Sequence, residues 1–537
     1  MVTRDWNYDQ LIGPTPSVVI PTTSVAIPTT AEDDMQKFRW GESTESTRVK
    51  FIYLSQLKLR DSNSFYTLLV RNMSEITPLI YTPTVGEACV EYSQIYRNPE
   101  GLFVSILDKG SISSVVRNWP KPHSQARITV ITDGSRILGL GDLGVNGMPI
   151  SIGKLSLYIA GAGIHPDSTI PICLDLGTNN ERNLSDPLYL GLKRRRSSEK
   201  EMTEFMQELM EALSTTFPRL LVQFEDFSTD NAFKYLEMFR HSYKVFNDDI
   251  QGTGGVVLSG FTNAARIASK DPNSTCPNLG DHKVLFLGAG SAGIGGLSED
   301  EARERIWTVD SKGIVVHGKP GLAEHKKYFA RRDMSLNDVL PRSLVDIVRL
   351  IKPTALLGLS TIRNAFTKEV VEAMSELNER PIIFPLSNPV HLSECDYSDA
   401  VEWSKGKVVF ASGSPFPKYQ YEGRTYEPGQ GNNMYIFPGL GLGTILCHAS
   451  EVTDSMVNAS AISLADSVSQ DEKADGLIYP RLHRIRDISV EIALGTIRAA
   501  QRAGVANAPK LTTMDDDQLR DYIRCKQWLP ADGTSKL

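Results

Sequence analysis

The second half of the chain contains five short apolar segments that constrain its fold more than any other feature. They are KVLFLGAG, RIWTVDS, ALLGLST, PIIFPLSNP and KVVFASGS, and they recur between residues 283 and 414. Each segment runs into Gly, Ser, Asp or Asn, and helix-like stretches separate them, which is typical of a parallel, doubly wound sheet. Ligands of such sheets bind at the carboxyl ends of the strands. The pattern therefore predicts a Rossmann-like dinucleotide-binding domain, and the apolar periodicity of YPRLHRIRDISVEIALGTIRAAQRAG predicts a helical C-terminal part.

The first half of the chain also alternates strand-like and helix-like segments. RITVITDG (127–134) and IPICLDLG (170–177) read as strands, and GKLSLYIAGAGI between them reads as a helix. An amphipathic helix, EKEMTEFMQELMEALSTTF, precedes a further strand, LLVQFEDF. The fold class is thus α/β, with an N-terminal α/β domain in front of the Rossmann-like domain. The predicted ranges are a low-complexity tail over 1–50, the first domain over 51–249, the second with its helical part over 250–525, and a tail over 526–537.

Composition excludes several classes of protein. A chain of 537 residues is too long for one core, and a net charge of −7 provides no basic surface for nucleic acid. The six cysteines are far apart and include no C-x-x-C, which favours reduced thiols over disulfides or a zinc site. No apolar stretch reaches the length needed to span a membrane.

The N-terminal segment GPTPSVVIPTTSVAIPTT is rich in Pro, Ser and Thr and predicts an extended, poorly ordered tail. It resembles a transit peptide only weakly, because such peptides are rich in arginine and poor in acidic residues. Arg4 is its only arginine before residue 30, and Asp5 and Asp9 are acidic. The cytosol is the expected compartment, and the mitochondrial matrix is the alternative.

Two pairs of neighbouring acidic residues indicate a cation site. Glu225 and Asp226 end the strand in QFEDF, and Asp248 and Asp249 lie in FNDDIQG. Such pairs are often a solvated face, but both have apolar neighbours, and carboxylates drawn toward a core need a cation. Oxygen ligands without His or Cys favour Mg²⁺ or Mn²⁺ over zinc.

Three further side chains are candidates for chemistry. Tyr81 lies between apolar residues and prolines, where a core tyrosine is the alternative. Arg136 and Lys154 belong to a glycine-dense stretch that predicts tight turns or close backbone approach. Burial of Lys154 would lower its pKa toward that of a useful base, whereas a snorkelling lysine is the other interpretation.

Together these segments resemble the malic enzyme family over about residues 51 to 525. The segments that carry the resemblance occur in the family's order: YTPTVG, TDGSRILGLGDLG, IGKLSLY, CLDLGTNN, QFEDF, FNDDIQGT, VDSKG, LSNP, FASGSPF and PGQGNNMYIFPG. The resemblance implies oxidative decarboxylation of (S)-malate to pyruvate and CO₂ with NAD⁺ or NADP⁺ and a divalent metal. It also implies a homo-oligomer, a tetramer or a dimer.

The resemblance carries roles to individual positions. Lys154 corresponds to the base that takes the malate hydroxyl proton, Asp248 to its partner, and Tyr81 to the acid that protonates C3 of enolpyruvate. Arg136 corresponds to the arginine that binds a substrate carboxylate, and Asn388 and Asn433 to asparagines at substrate and nicotinamide. Glu225, Asp226 and Asp249 correspond to the metal ligands. The implied contacts to the dinucleotide are Arg136, Asp249, Gly288, Gly290, Gly293, Asp310 and Asn388.

The stretch after the glycine turn departs from the family. Gly288, Gly290 and Gly293 form G-x-G-x-x-G, and Asp310 follows at the spacing of a ribose-binding acid. Residues 294–304 offer few apolar positions, so about a dozen residues of an apolar helix are absent relative to the family. The usual family opening before the first helix is also missing. We expect strand 283–287 to expose an apolar face and dinucleotide binding to be weakened.

Two other functions compete with an active malic enzyme. The first is a catalytically impaired subunit that binds metal and dicarboxylate but no dinucleotide. The second is another oxidoreductase, such as an amino-acid dehydrogenase, which would leave the paired acids unexplained. The choice of cofactor stays open at this stage, since Asp310 favours NAD⁺ whereas Ser311, Lys312 and Lys326 would serve the 2′-phosphate of NADP⁺.

Overall fold

The computed structural model describes residues 47–122, 125–269, 279–288, 303–322, 324–327, 329–334 and 340–530. Within these ranges no helix combines the length and the apolar character needed to cross a membrane. Gly290, Gly293 and the shortened stretch after Gly295 lie outside the described residues.

The first domain is built on a five-stranded parallel sheet in the order β1-β3-β2-β4-β5. Its strands are β1 (Leu102–Ser105), β2 (Ile128–Thr132), β3 (Thr169–Asp175), β4 (Leu221–Phe224) and β5 (Val245–Asn247). Its helices are α1 (Thr47–Arg60), α2 (Ser62–Arg71), α3 (Met73–Ile80), α4 (Thr84–Val90), α5 (Tyr92–Ile95), α6 (Ile112–Arg117), α7 (Met148–Ala162), α8 (Glu181–Ser185), α9 (Glu199–Thr216) and α10 (Thr229–Phe239). Every residue of β2, β3, β4 and β5 is buried, as expected for a parallel sheet covered on both faces.

The second domain contains a seven-stranded sheet in the order β14-β11-β10-β9-β6-β7-β8, in which β8 alone of these strands pairs antiparallel. Its strands are β6 (Val284–Leu287), β7 (Ile306–Asp310), β8 (Gly313–Ile314), β9 (Ala355–Gly358), β10 (Ile382–Pro385), β11 (Val409–Ser412) and β14 (Gly429–Gln430), and a separate hairpin comprises β12 (Tyr419–Tyr421) and β13 (Arg424–Tyr426). The helices are α11 (Thr253–Ala268), α12 (Glu324–Lys327), α13 (Leu344–Ile351), α14 (Lys368–Leu377), α15 (Tyr397–Trp403), α16 (Phe437–Leu446), α17 (Asp454–Asp466), α18 (Gln470–Ala474), α19 (Ile485–Arg502) and α20 (Asp516–Lys526). The α/β class and the Rossmann-like parallel sheet predicted from the sequence are therefore confirmed.

The C-terminal helices join the two sheets into one body. Helices α16 and α19 pack on α7 of the first domain, and Gly161 and Gly439 lie where these helices approach closely. One apolar core consequently runs from the first domain through the C-terminal helices to one face of the second sheet. This packing fixes the carboxyl ends of β2 and β4 relative to those of β6, β9 and β10.

The prediction that the strand before the glycine turn exposes an apolar face is wrong. All four residues of β6 are buried. Val284 and Phe286 join the core shared with α11, and Leu285 and Leu287 join the core on the other face of the sheet.

The predicted tails are longer than the structure allows. Helix α1 begins at Thr47, so residues 47–50 are helical, and Arg48 pairs with Glu91 at 2.8 Å. At the other end Lys526 closes α20, and Trp528 packs edge-on against Tyr66 with ring centroids 5.8 Å apart.

Candidate functional site

The carboxyl ends of the two sheets face a common cleft with a volume of about 570 Å³. The predicted site residues that line it are Tyr81, Arg136, Lys154, Glu225, Asp226, Asp249, Gly288, Asp310, Asn388 and Asn433. Asp248 lies directly behind Lys154, with no exposed surface. Residues from distant parts of the chain thus meet in one place, and their individual roles stay predictions.

Three carboxylates form the floor of the cleft. Glu225, Asp226 and Asp249 each offer an oxygen within 4.8 Å of the others. Asp226 adopts a left-handed backbone (φ 55°), which hydrogen bonds hold in place: its N–H donates to Asp249 Oδ2 at 2.7 Å, and the Leu138 N–H donates to its Oδ1 at 3.0 Å. Asp226 Oδ2 is buried and has no hydrogen-bond partner among the described residues.

The negative charge of these three carboxylates is only partly balanced by their surroundings. Burial raises the pKa of Glu225 and of Asp226 well above the ordinary carboxyl range, and the neighbouring Asp249 raises both further. Asp249 itself is open to the cleft. Acids that crowd together with a free oxygen facing a cleft form a set that hard divalent cations bind.

Lys154 is held between two acids. It extends from α7, where Gly153 permits close approach, since a Cβ at that position would be 2.9 Å from the Ile80 carbonyl. The Lys154 side chain is 1% exposed, which rules out the snorkelling interpretation, and its Nζ is 3.0 Å from Glu225 Oε1 and in direct contact with Asp248 Oδ2.

The predicted low pKa of Lys154 is wrong for this structure. Burial alone would lower the pKa, but the carboxylates of Asp248 and Glu225 outweigh it and hold the pKa well above its ordinary value. The sequence left burial and snorkelling open as alternatives and did not show how close the two acids are. The Lys154 proton is therefore held firmly by this pair.

Asp248 is fixed by the turn that leads into α11. Residues Asp248–Gly252 form one turn of π-helix, and a Cβ at Gly252 would fall 1.9 Å from Asp248 Oδ1. Asn433 Nδ2 donates to Asp248 Oδ2 at 3.0 Å and to Thr253 Oγ1 at 3.0 Å. The solvated-face interpretation therefore fails for Asp248.

Tyr81 follows the end of α3 and faces the same amine. The residue is 5% exposed, and its ring centroid is 5.3 Å from Lys154 Nζ. Burial raises the pKa of Tyr81 above its ordinary value, so the phenol keeps its proton. It is at once a core tyrosine and a lining residue of the cleft.

Arg136 and Asn388 reach the cleft from opposite domains. The Arg136 side chain donates to Thr229 Oγ1 on α10, and its N–H donates to the Asp226 carbonyl at 3.2 Å. Asn388 follows β10, and its Oδ1 accepts a hydrogen bond from Ser414 Oγ. The guanidinium of Arg136 and the amide of Asn388, beside an acidic floor, are donors suited to a dicarboxylate.

The far end of the cleft carries Asp310, at the end of β7. Its Oδ1 accepts from the Lys312 N–H at 2.9 Å, and its Oδ2 is 3.1 Å from Lys326 Nζ. Lys319, which sequence reasoning missed, is 3.5 Å from Oδ1. Burial would raise the pKa of Asp310, but these donors together hold it below its usual range.

Gly288 lies between β6 and the cleft with φ 106°, and a Cβ there would be 2.6 Å from the Leu359 carbonyl. Only a glycine therefore lets β6 and the end of β9 approach this closely.

Two supporting contacts escaped the sequence analysis. Tyr158 OH donates to Gln223 Oε1 at 2.5 Å, and Gln223 Nε2 donates to Glu225 Oε2 at 2.7 Å. Arg196 donates twice to Asp142, at 2.8 Å each, and once to the Asp133 carbonyl at 2.9 Å. A glutamine in an otherwise apolar, buried strand was the available signal for the first contact, whereas the second had none.

Known proteins of one family match most of the chain. A family model described as the malic enzyme N-terminal domain matches residues 58–240, and one described as the malic enzyme NAD binding domain matches residues 250–501. An NADP-dependent malic enzyme of Dictyostelium discoideum is 43% identical over 500 residues, which cover 91% of this chain and 89% of that protein. An NADP-dependent malic enzyme of Vitis vinifera is 45% identical over 473 residues, or 85% of this chain and 78% of that protein.

Solved structures show the same fold at lower identity. A malic enzyme of Entamoeba histolytica superposes with a TM-score of 0.57 at 23% identity, covering 84% of this chain and 80% of that one. A malic enzyme of Pyrococcus horikoshii gives a TM-score of 0.52 at 22% identity, covering 84% and 89%.

Proposed function

The chain belongs to the malic enzyme family, an NAD(P)-dependent oxidoreductase family, and on that premise we propose that it oxidatively decarboxylates (S)-malate to pyruvate and CO₂ with reduction of NADP⁺. One observation carries the proposal. A buried lysine and three clustered carboxylates face the same cleft as the strand ends of the nucleotide-type sheet.

We assign a divalent cation, Mg²⁺ or Mn²⁺, to Glu225, Asp226 and Asp249. The unpartnered Asp226 Oδ2 and the crowding of three acids fit such an ion, and no sulfur or imidazole ligand is part of the cluster. When bound, the cation would supply the positive charge that polarises the substrate hydroxyl. It would also bind Glu225, which is one of the two acids that keep the proton on Lys154.

Malate binds through its carboxylates. Arg136 offers a two-pronged guanidinium from one side, and Asn388 offers an amide donor from the other, where Asn433 also lines the cleft. Because Asn433 also donates to Asp248, its amide is already oriented before substrate arrives.

The proton steps fall to Lys154 and Tyr81. Lys154 must first give up the proton that its raised pKa retains, which becomes easier once the cation engages Glu225. The neutral amine, still paired with Asp248, then takes the malate hydroxyl proton, and a bound nicotinamide would accept the C2 hydrogen as hydride. The C3–C4 bond then breaks to release CO₂, and Tyr81, still protonated at its raised pKa, supplies the proton that C3 receives.

We assign NADP⁺ as the preferred cofactor. The carboxylate of Asp310 is occupied by a backbone amide and two lysines, so it is a poor acceptor for a ribose hydroxyl. The same lysines supply the positive charge that a 2′-phosphate needs. The named relatives in Dictyostelium and Vitis are NADP-dependent as well.

The test is malate-dependent formation of NADPH and pyruvate with Mn²⁺, in the wild type and two variants. Lys154→Ala should abolish hydride transfer but retain more of the decarboxylation of supplied oxaloacetate, which requires no hydroxyl deprotonation. Tyr81→Phe should impair the protonation step instead. If both variants lost both partial reactions equally, the separate roles proposed for Lys154 and Tyr81 would be refuted.

The impaired-subunit alternative gives a different result in the same experiment. Such a chain binds Mn²⁺ and malate by calorimetry and shows no dinucleotide binding. The shortened stretch after Gly295 motivates it, while the full burial of β6 removes the packing argument for it. Assembly as a tetramer or dimer stays a prediction that light scattering can test.

A further inference from the structure

Glu394 is a carboxylate buried beneath the dinucleotide side of the cleft. It has no exposed surface, and it accepts four hydrogen bonds: from Ser360 N at 2.8 Å, Ser360 Oγ at 2.9 Å, Ser387 Oγ at 2.6 Å and Ser387 N at 3.3 Å. It packs on Gly358 of β9, where a Cβ would be 2.5 Å from its Cδ. The fold thus leaves space for this acid.

All four partners act as donors. The hydroxyl of Ser387 already accepts from the Thr361 N–H at 2.9 Å, and that of Ser360 accepts from the Ile362 N–H at 3.2 Å. Each hydroxyl also lies within hydrogen-bond distance of Glu394 Oε1 and has its one hydrogen available to donate there. A set made of donors alone is what an ionised carboxylate accepts, since a protonated one needs an acceptor.

Glu394 belongs to no ion pair among the residues that the structure describes. Over the ranges that the structure describes, no lysine, arginine or histidine nitrogen lies within 4 Å of Glu394. The four hydrogen bonds spread the charge but do not cancel it. Acids buried this fully without a cation are uncommon in proteins.

The position of Glu394 relates it to the cofactor. Its partners Ser360 and Ser387 line the cleft at the ends of β9 and β10, and Asn388 follows directly. In a doubly wound sheet the ligand lies across these strand ends. We propose that Glu394 is a specificity-determining residue that makes the site favour the oxidised, cationic nicotinamide over the reduced, neutral one.

The inference rests on the proposed function, because it requires the nicotinamide ring at this end of the cleft. The oxidised ring carries one positive charge that the reduced ring lacks. Two unit charges about 10 Å apart at an effective dielectric of about 20 interact strongly enough to change an affinity roughly tenfold. Glu394 touches no substrate atom and acts through its charge.

Glu394→Gln separates charge from positioning. The glutamine oxygen replaces Oε1 and keeps the three shorter hydrogen bonds. The amide nitrogen replaces Oε2, so only the longest bond, from the Ser387 N–H at 3.3 Å, is lost together with the charge. We expect the ratio of the NADP⁺ and NADPH dissociation constants to rise about tenfold, with NADP⁺ weakened. Binding of 2′-phospho-ADP-ribose, which lacks the nicotinamide ring, should change no more than that of NADPH. Calorimetry on the full-length chain measures all three.

Two controls define the outcome. Asp175→Asn removes a charge from a largely buried carboxylate that accepts the Leu192 N–H at 2.8 Å in the other sheet, and Ser387→Ala removes a donor but keeps the Glu394 charge. Neither should change the ratio. If Glu394→Gln fails to fold, Glu394→Asp keeps the charge and should keep the wild-type ratio.

The contrary results are distinct. An unchanged ratio in Glu394→Gln, equal weakening of both cofactors, or an altered ratio in Ser387→Ala overturns the inference and leaves the proposed function standing. A wild-type chain that binds neither NADP⁺ nor NADPH overturns both.

Discussion

Asp249→Asn tests the cation site most directly, because Asp249 is the member of the cluster that faces the open cleft. The asparagine oxygen can still accept the Asp226 N–H that Asp249 Oδ2 accepts at 2.7 Å, so the turn should survive. The substitution removes one anionic ligand and little packing. We therefore expect an unfolding transition within about 0.5 kcal/mol of the wild type without metal, which is usual for an accessible surface change.

The loss of cation affinity can be bounded from below. Two unit charges about 4 Å apart interact by about 1 kcal/mol even in water, so a divalent ion loses about 2 kcal/mol with one carboxylate. That corresponds to about a thirtyfold weaker dissociation constant. The enclosed acids beside Asp249 lower the effective dielectric, so thirtyfold is a minimum.

Calorimetric titration with Mn²⁺ measures this affinity, and thermal melts provide a second readout. Mn²⁺ at about one hundred times its dissociation constant should stabilise the wild type by about 2.7 kcal/mol, and the same concentration should stabilise the variant far less. Asp230→Asn is the matched control, since it removes an equal charge from the first turn of α10 without touching the cluster. Equal Mn²⁺ affinity in Asp249→Asn and wild type would refute the assignment.

Three further substitutions test the surroundings of the site. Lys326→Ala should lower kcat/KM for NADP⁺ at least tenfold and leave NAD⁺ little changed, because the 2′-phosphate loses a cation; steady-state kinetics with both cofactors would show it. Gln223→Leu should weaken Mn²⁺ binding about 10- to 100-fold by freeing Glu225 from its donor, as calorimetry would detect. Arg196→Met should lower the free energy of unfolding by about 3–5 kcal/mol in urea, because the buried Asp133, 3.7 Å away, loses its cation.

Local patterns in the sequence were sufficient to predict the second sheet. The strands β6, β7, β9, β10 and β11 are apolar runs that end in turn-forming residues, and each was predicted in its correct place. Strand β14 has two residues and contains Gly429, so it carries no pattern of its own and exists because Ala411 and Ser412 offer it a partner. Its place in the sheet depends on tertiary contact.

The parts of the site that could be predicted are those in which the type of residue alone indicates its chemistry. Adjacent acids after a buried strand indicated a cation, and the structure brings Asp249 to them from a separate turn. Gln223 and Arg196 act through contacts with partners 65 and 54 positions away in sequence, Tyr158 and Asp142, so their function is visible only in three dimensions. Spacing along one element cannot predict such contacts.

Lys154 and Glu394 show why the electrostatics of a site needs the fold. Burial of Lys154 was one of two interpretations that the sequence left open, and the pKa direction expected from burial was wrong, because Asp248 and Glu225 approach from other elements and outweigh the cost of burial. Glu394 is the opposite case, an acid in an ordinary loop sequence that the fold surrounds with hydrogen-bond donors and, within the described ranges, with no cation. In both, the residue type sets the charge that is available, and its neighbours decide whether that charge is neutralised or left to act on a ligand. Whether a buried charge is neutralised therefore depends on distances in the folded structure and not on sequence motifs. For that reason the charge substitution at Glu394 and the cation titration at Asp249 are the most informative experiments.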